Sequence, residues 1–322
     1  MKRLAVLMGL GAIGLLAVES RAVEPAAPPP WAYAVNPPGM KPVPDDGTPL
    51  RVPGSAKTFT LTQLRDLLNV PDWHPDDHPP MPDSVGHGAR PGAFACGFCH
   101  LPNGLGRPEN ASLAGLPAEY IVRQVVAFRS GERKSAEPRS LPTNLMVGVA
   151  KTATDDEVRT AAEYFAALPM RQWIRVVETD TVPKTRVGGW MLVASEPAQT
   201  ESIGQRIIEM PEDLERTERR DSTSGFVAYV PTGSRARGEA LVTTGAAGRT
   251  TPCGICHGTD LRGLGPVPSL AGRSPSYIVR QLHDMRRGLR GGAWTDLMKA
   301  VVAPLTDDDI VAIAAYTASR AP

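Results

Sequence analysis

The sequence predicts a mainly α fold in which two copies of one small helical domain stand in tandem, with a small β insertion between them. Three observations carry this reading. The first is an internal repeat: sliding the 322-residue chain on itself by 157 positions lays Cys96-Gly-Phe-Cys99-His100 on Cys253-Gly-Ile-Cys256-His257. In the same register Ser112-Leu-Ala-Gly115 falls on Ser269-Leu-Ala-Gly272, and Tyr120-Ile-Val-Arg-Gln124 falls on Tyr277-Ile-Val-Arg-Gln281. After a five-residue shortening of the second copy, Asn144-Leu-Met146 meets Asp296-Leu-Met298, Thr154-Asp-Asp-Glu157 meets Thr306-Asp-Asp-Asp309, and Tyr164 meets Tyr316.

The second observation is that the shared blocks carry helix ends. Thr154-x-x-Glu157 is a capping box, and Thr306 is an equivalent N-cap followed by acidic residues that suit the positive end of a helix dipole. Ser274-Pro275 supplies an N-cap and a first-turn proline for a helix carrying Tyr277, Ile278 and Leu282. The segments Leu105 to Pro108 and Leu264 to Pro268 read as Gly/Pro loops. The third observation lies between the copies. The runs Trp173 to Thr179, Val187 to Val193, Ile203 to Met210 and Gly225 to Val230 are rich in Val, Ile and Trp and are separated by turn residues, which predicts short strands rather than a disordered linker.

The repeated pentapeptides contain every cysteine of the chain. Cys-x-x-Cys-His is the pattern of c-type haem attachment, in which two thiols three positions apart form thioethers with one porphyrin and the adjacent histidine reaches the iron. Cys96, Cys99, Cys253 and Cys256 are therefore the candidate attachment residues for two covalently bound haem c groups, and His100 and His257 the candidate proximal ligands. A closed zinc site would need a fourth ligand that neither motif offers nearby, and a redox dithiol would be expected within a βαβ pattern. Haem attachment would consume all four thiols, so no disulfide is expected.

The repeat also nominates the opposite axial ligands. A low-spin electron-transfer haem needs a second strong group, and Met146 and Met298 occupy matching positions, 46 residues after His100 and 41 after His257. Bis-histidine ligation is disfavoured because no histidine lies between His100 and His257. His283 stands where the other copy has Val126 and reads as a surface or core histidine. Methionine is ordinary core filler, and the equivalence of these two singles them out from the ten present.

Lys2 and Arg3, the apolar run Leu4 to Val18 and Ser20-Arg21-Ala22 predict a signal peptide cleaved after residue 22, and hence export to the periplasm; fifteen or so apolar residues broken by glycines are short for a membrane span. Removing residues 1–22 takes the formal charge from +1 to −1. No nucleic-acid partner is implied, since the densest basic cluster, Arg216, Arg219 and Arg220, is interleaved with Glu215, Glu218 and Asp221 and reads as a solvated face. The expected organisation is a signal peptide (1–22), a Pro-rich extension (23–80), a first helical domain (81–168), a β-rich insertion (169–233) and a second helical domain (234–322). In the extension, Thr60-x-x-Gln63 starts a helix expected to reach Leu68. Trp73, His74, Asp76, Asp77 and His78 form a polar cluster read as a turn before Pro79-Pro80, with metal binding as the alternative.

These motifs resemble the dihaem cytochromes c of the c4 kind, built from two class I cytochrome c domains. The resemblance covers roughly residues 96–168 and 238–321. It implies His100/Met146 and His257/Met298 as axial pairs and, in the second domain, a contact of Gly238 on an N-terminal helix with Tyr316 on the last one. The chain departs from that pattern in three places. Prolines 79, 80, 82 and 91 leave the first domain with a short or missing initial helix, and the connection 169–237 is far longer than expected. Ala111 stands where the second copy has Pro268, the position whose backbone orients the proximal histidine, and Pro108 is the candidate replacement.

The function implied is an exported carrier of single electrons between a redox enzyme or quinol-oxidising complex and an acceptor, free or as a subunit of an oxidoreductase. Its partners would be a redox protein donor and acceptor. No substrate is firmly implied, and membrane contact would come only through partners or an uncleaved signal. The alternatives are a dihaem peroxidase or another dihaem oxidoreductase with a catalytic haem; a peroxidase would need one open iron, against which the two matched methionines argue.

Overall fold

The computed structural model of the chain describes residues 27–195 and 199–322; the signal peptide expected over 1–22 lies outside them. Helices dominate, with short strands gathered between residues 174 and 230. The helices are α1 (Leu61–Leu64), α2 (Asp83–Gly86), α3 (Cys96–His100), α4 (Ala118–Ser130), α5 (Leu141–Thr152), α6 (Asp155–Ala167), α7 (Leu214–Glu218), α8 (Ser234–Gly248), α9 (Gly254–His257), α10 (Pro275–Arg286), α11 (Thr295–Val302) and α12 (Asp307–Ala318).

In the first repeat α4 buries Ile121, Val125 and Phe128, one stripe at helical spacing, against α5 and α6. Its last turn stops at Gly131 in the left-handed conformation that glycine adopts without strain. Thr154 caps α6 as expected, its hydroxyl accepting from the Glu157 N–H while the Glu157 carboxylate accepts from the Thr154 N–H. The second repeat uses the same devices: Thr306 and Asp309 form the capping box of α12, and the Ser274 hydroxyl accepts from the Tyr277 N–H at the start of α10. Helix α12 is buried from Asp309 to Ala318 because α8, α10 and a strand of the insertion pack around it.

The crossing of α8 and α12 depends on Gly238. A Cβ there would lie 2.0 Å from the Ala312 carbonyl oxygen and 2.7 Å from the Tyr316 Cβ, so only glycine lets the two backbones approach this closely. The first repeat has no counterpart to α8. The proline-rich stretch leaves only the single turn of α2, from which Val85 is fully buried.

The insertion forms strands β1 (Ile174–Glu178), β2 (Thr181–Pro183), β3 (Thr185–Gly188), β4 (Met191–Ala194), β5 (Thr200–Ser202), β6 (Ile208–Pro211) and β7 (Phe226–Val230). β7 lies at the centre of a three-stranded sheet, parallel to β1 and antiparallel to β6. β3 and β4 form a hairpin whose two-residue turn puts Gly189 at φ 60° and Trp190 at φ 63°, the left-handed pair that suits a tight hairpin. The insertion is anchored to the second repeat by Glu209, whose Oε2 accepts from the Ser274 hydroxyl (2.8 Å) and from the Ser276 N–H (3.0 Å) at the N-terminus of α10. Burial holds this carboxyl above the usual carboxylate range. One apolar core runs through both repeats and the sheet, joining Val85, Phe165, Ile174, Phe226, Leu241 and Ile310, and each such fully buried side chain contributes about 1.5–3 kcal/mol.

The extension is mostly irregular, as expected, but α1 is shorter than its sequence suggested. The Thr60/Gln63 capping box is present, yet the helix ends at Leu64, and the chain turns through Asp66, whose carboxylate accepts from the Leu68 N–H at 2.9 Å. The histidine cluster is a polar tie to the rest of the molecule. His74 Nε2 lies 3.0 Å from Asp221 Oδ1, His78 Nε2 lies 3.2 Å from Asp72 Oδ1, and His78 Nδ1 lies 3.1 Å from the Tyr164 hydroxyl of α6. Among the described residues no group of three or more His, Cys, Asp or Glu is placed to hold a metal ion.

The hydrogen bond to Asp72 raises the His78 pKa above its ordinary value. A histidine whose pKa is raised on folding contributes stability that is complete below its unfolded value, near 6.5, and is lost as pH rises through the folded one. Thermal melts of wild type and His78→Gln should therefore differ most on the acid side of neutrality and converge as pH rises through the raised folded value. A gap that stays constant over this range would show that His78 does not titrate this way.

Candidate haem-binding sites

Each Cys-x-x-Cys-His motif forms one short helical turn, and the chain that follows loops back to orient its histidine. His100 Nδ1 lies 2.8 Å from the Ala111 carbonyl oxygen, and His257 Nδ1 lies 2.7 Å from that of Pro268. A carbonyl can only accept, so Nδ1 carries the proton in both rings and Nε2 keeps its lone pair for a metal. The residue swap at this position is thus harmless: the backbone carbonyl does the orienting, and Ala111 supplies it as well as proline does. Pro108 does not substitute for it, because its own carbonyl accepts from the Arg280 guanidinium. Burial lowers the pKa of both imidazoles, and the nearby Arg133 and Arg290 lower those of His100 and His257 respectively. Both rings are therefore poised as neutral ligands.

The first site is a cavity of about 490 Å³, well within the range of cofactor pockets. Cys96, Cys99, His100 and Met146 all line it, with Leu113, Leu116, Ile121 and Val125 among the apolar walls. The structure thus brings together the four residues nominated for the first haem. Met146 comes from α5 and packs against Val125, Phe128, Ala150 and Val158. In the second repeat His257 is buried, while Cys253 and Met298 are partly buried against the main core. Burial pushes the Cys96 thiol up to about 12 and the Cys253 thiol up to about 11, the reverse of the depressed values that make a redox dithiol reactive.

The two sites meet at a polar seam with approximate two-fold symmetry. Arg133 of the first repeat donates to the Tyr277 hydroxyl (2.8 Å) and Gln281 Oε1 (2.9 Å) of the second. Arg290 of the second donates to the Tyr120 hydroxyl (2.7 Å) and Gln124 Oε1 (3.1 Å) of the first. The backbone reciprocates, with Lys134 N–H donating to Leu289 (2.8 Å) and Gly291 N–H to Glu132 (2.7 Å). Both arginines are buried, and among the described residues Arg290 Nε has no partner. Two buried guanidiniums with a spare donor are matched in charge to the carboxylates that haem carries, so the donor sets and this seam both fit the group.

Sequence reasoning missed this seam although the signal was there, since Arg133 and Arg290 are in the same 157-residue register as the tyrosines they reach. His283 is a core histidine: it is 2% exposed, meets the Tyr33 ring edge-on, and has its pKa pulled down to about 4 by burial. The solvated-face reading of Arg216, Arg219 and Arg220 is corrected at two positions. The Arg220 guanidinium stacks 3.6 Å above the Phe98 ring, and Asp221 is buried between His74 and Arg216.

No protein-family model matches the chain. It is 26% identical over 236 residues to the thiosulfate dehydrogenase electron acceptor of Stutzerimonas stutzeri, covering 72% of this chain and 82% of that protein. It is 25% identical over 229 residues to the cytochrome c4 of Pseudomonas aeruginosa, covering 70% and 83%. Over 69 residues it is 42% identical to cytochrome c-554(548) of Halomonas halodenitrificans, 21% of this chain and 83% of that one. Together with the doubled Cys-x-x-Cys-His motif, these relatives show that the chain belongs to the dihaem c-type cytochromes of the c4 kind, electron-transfer proteins with two covalently bound haem c groups.

Proposed function

We propose that this cytochrome is an exported carrier that takes single electrons from a periplasmic oxidoreductase and passes them to a second redox protein. Cys96 and Cys99 would hold the first haem and Cys253 and Cys256 the second; His100 with Met146, and His257 with Met298, would supply the iron ligands. The observation that carries this reading is the convergence of Cys96, Cys99, His100 and Met146 on one cavity, with His100 fixed in the tautomer that frees Nε2. When bound, a haem held by histidine and methionine supplies one-electron chemistry at a raised potential. The chain's own work is to fix those ligands, to exclude water from the cavity and to hold the two sites together across the Arg133/Arg290 seam. The similarity to thiosulfate dehydrogenase electron acceptors favours a sulfur-compound dehydrogenase as donor. Among the described residues no helix is long and apolar enough to cross a membrane.

Mass spectrometry of the mature holoprotein tests the attachment. The reading expects the mass of the chain cleaved after residue 22 plus two haems, and of one haem when Cys253 and Cys256 are both replaced by serine. A wild-type mass with fewer than two haems would refute it.

A further inference from the structure

The two haem sites present the same edge to very different surroundings. Phe98, between the paired cysteines of the first site, is 3% exposed, whereas its counterpart Ile255 is 64% exposed. Arg107, in the loop after the first motif, is 8% exposed, whereas its counterpart Leu264 is 60% exposed. The two motifs form the same short helical turn, and the difference comes from what lies over the first. The cover is a hook at residues 219–222 of the insertion, held from below by the extension. The Trp73 indole N–H donates to the Arg219 carbonyl (2.7 Å), Arg220 Nε donates to that of Leu64 (3.1 Å), and Asp221 meets His74. Asn103, just after the haem motif, reaches the hook as well through the Ser222 carbonyl.

Two residues of the insertion enter the first cavity from outside, Trp190 from the β3–β4 hairpin and Arg220 from the hook. Trp190 takes its left-handed backbone from the hairpin turn, whereas Arg220, at φ 58°, is a left-handed non-glycine residue outside any hairpin. Such conformations persist where the surrounding structure over-determines them, and they gather at functional sites. Arg220 fills its place fully: its guanidinium lies on the Phe98 ring and donates to the Phe98 carbonyl (2.8 Å), inside the Cys-x-x-Cys turn itself. The neighbouring Arg107 is paired with Glu109, Nε to Oε1 at 2.7 Å, whereas among the described residues no ion pair ties up Arg220, whose charge acts on Cys99.

We propose that Arg220 is a positioning residue of the first haem site, which the hook closes at its thioether edge while the guanidinium holds positive charge against it, so that this edge is open to partners only at the second site. The inference rests on the haem reading above and goes beyond it by making the two sites unequal. A fixed cation in a desolvated place disfavours the more positive, ferric state, so it raises the potential of the nearer haem and leaves the farther one almost untouched.

The test uses the holoprotein and follows the paramagnetically shifted haem-methyl resonances of each haem by NMR, during redox titration and on addition of a soluble gadolinium chelate. In wild type the chelate should broaden the second haem's methyls and spare those of the first. Arg220→Met should lower the first haem's potential and leave the second unchanged; Arg220→Gly, which relieves the left-handed backbone, should also expose the first haem's methyls to the chelate. Equal broadening of both haems in wild type, or an unmoved first potential in both variants, would overturn the proposal. A chain that carries no haem at Cys96 and Cys99 would instead overturn the attachment reading, so the two failures are distinct.

Discussion

Gly238→Ala is expected to destabilise the protein by about 3 kcal/mol, at the upper end of what overpacking a close-packed contact costs. The added Cβ would meet the Ala312 carbonyl carbon at 2.7 Å as well as its oxygen, and these atoms belong to the backbone of α12, which is buried on nearly all sides and cannot yield locally. The helices must then separate, and the packing of α12 against α10 and β1 goes with them. Gly148 is the control. It sits in α5 with nothing among the described residues within 4 Å of an added Cβ, so Gly148→Ala should be neutral or stabilise by about 0.5–1 kcal/mol. Denaturant midpoints of the two variants measured side by side check both statements. Equal stability of Gly238→Ala and wild type would mean that the α8–α12 crossing is looser than described.

The second large effect belongs to the seam between the sites. Arg290→Ala strips the Tyr120 hydroxyl of its arginine donor, leaves Gln124 Oε1 only the one from Arg133 (2.9 Å), and removes a buried charge set to receive an anion, which should cost about 3 kcal/mol. Arg133→Ala should cost a similar amount for the same reason in the other direction, because it serves Tyr277 and Gln281. Lysine should rescue neither, since one ammonium does not reproduce the planar fork that spans two acceptors on the opposite repeat. Urea unfolding of Arg290→Ala, Arg290→Lys and the double variant measures this, and the double variant should lose less than the sum, as residues that share one interface do. Strict additivity would show that the two arginines act independently and that the reciprocal arrangement carries no coupling.

How far the sequence alone reached follows from which forces are local. Capping boxes at Thr60, Thr154 and Thr306 could be read because the hydroxyl and its target lie three residues apart, and all three are present. The attachment motifs were legible for the same reason. Met146 was singled out through repetition, by its match to Met298, and the structure places it on the cavity that His100 also lines. The extent of α1 was misjudged because the Asp66 turn competes with the helix. The parallel pairing of β1 with β7 could not be read from adjacent runs, since it needs a crossover through the whole stretch 179–225. Arg220 was missed most completely. Charge interleaving says that a segment is polar, and only the tertiary fold shows that one of its cations lies on the Phe98 ring.

The account turns on both irons being held by histidine and methionine, and the near-infrared spectrum of the ferric holoprotein examines this most directly. Wild type should show the methionine-to-iron charge-transfer band, and Met146→Ala and Met298→Ala should each remove about half of its intensity, as two equivalent sites require. Ferric high-spin iron in the wild type, or a band that neither substitution weakens, would contradict it.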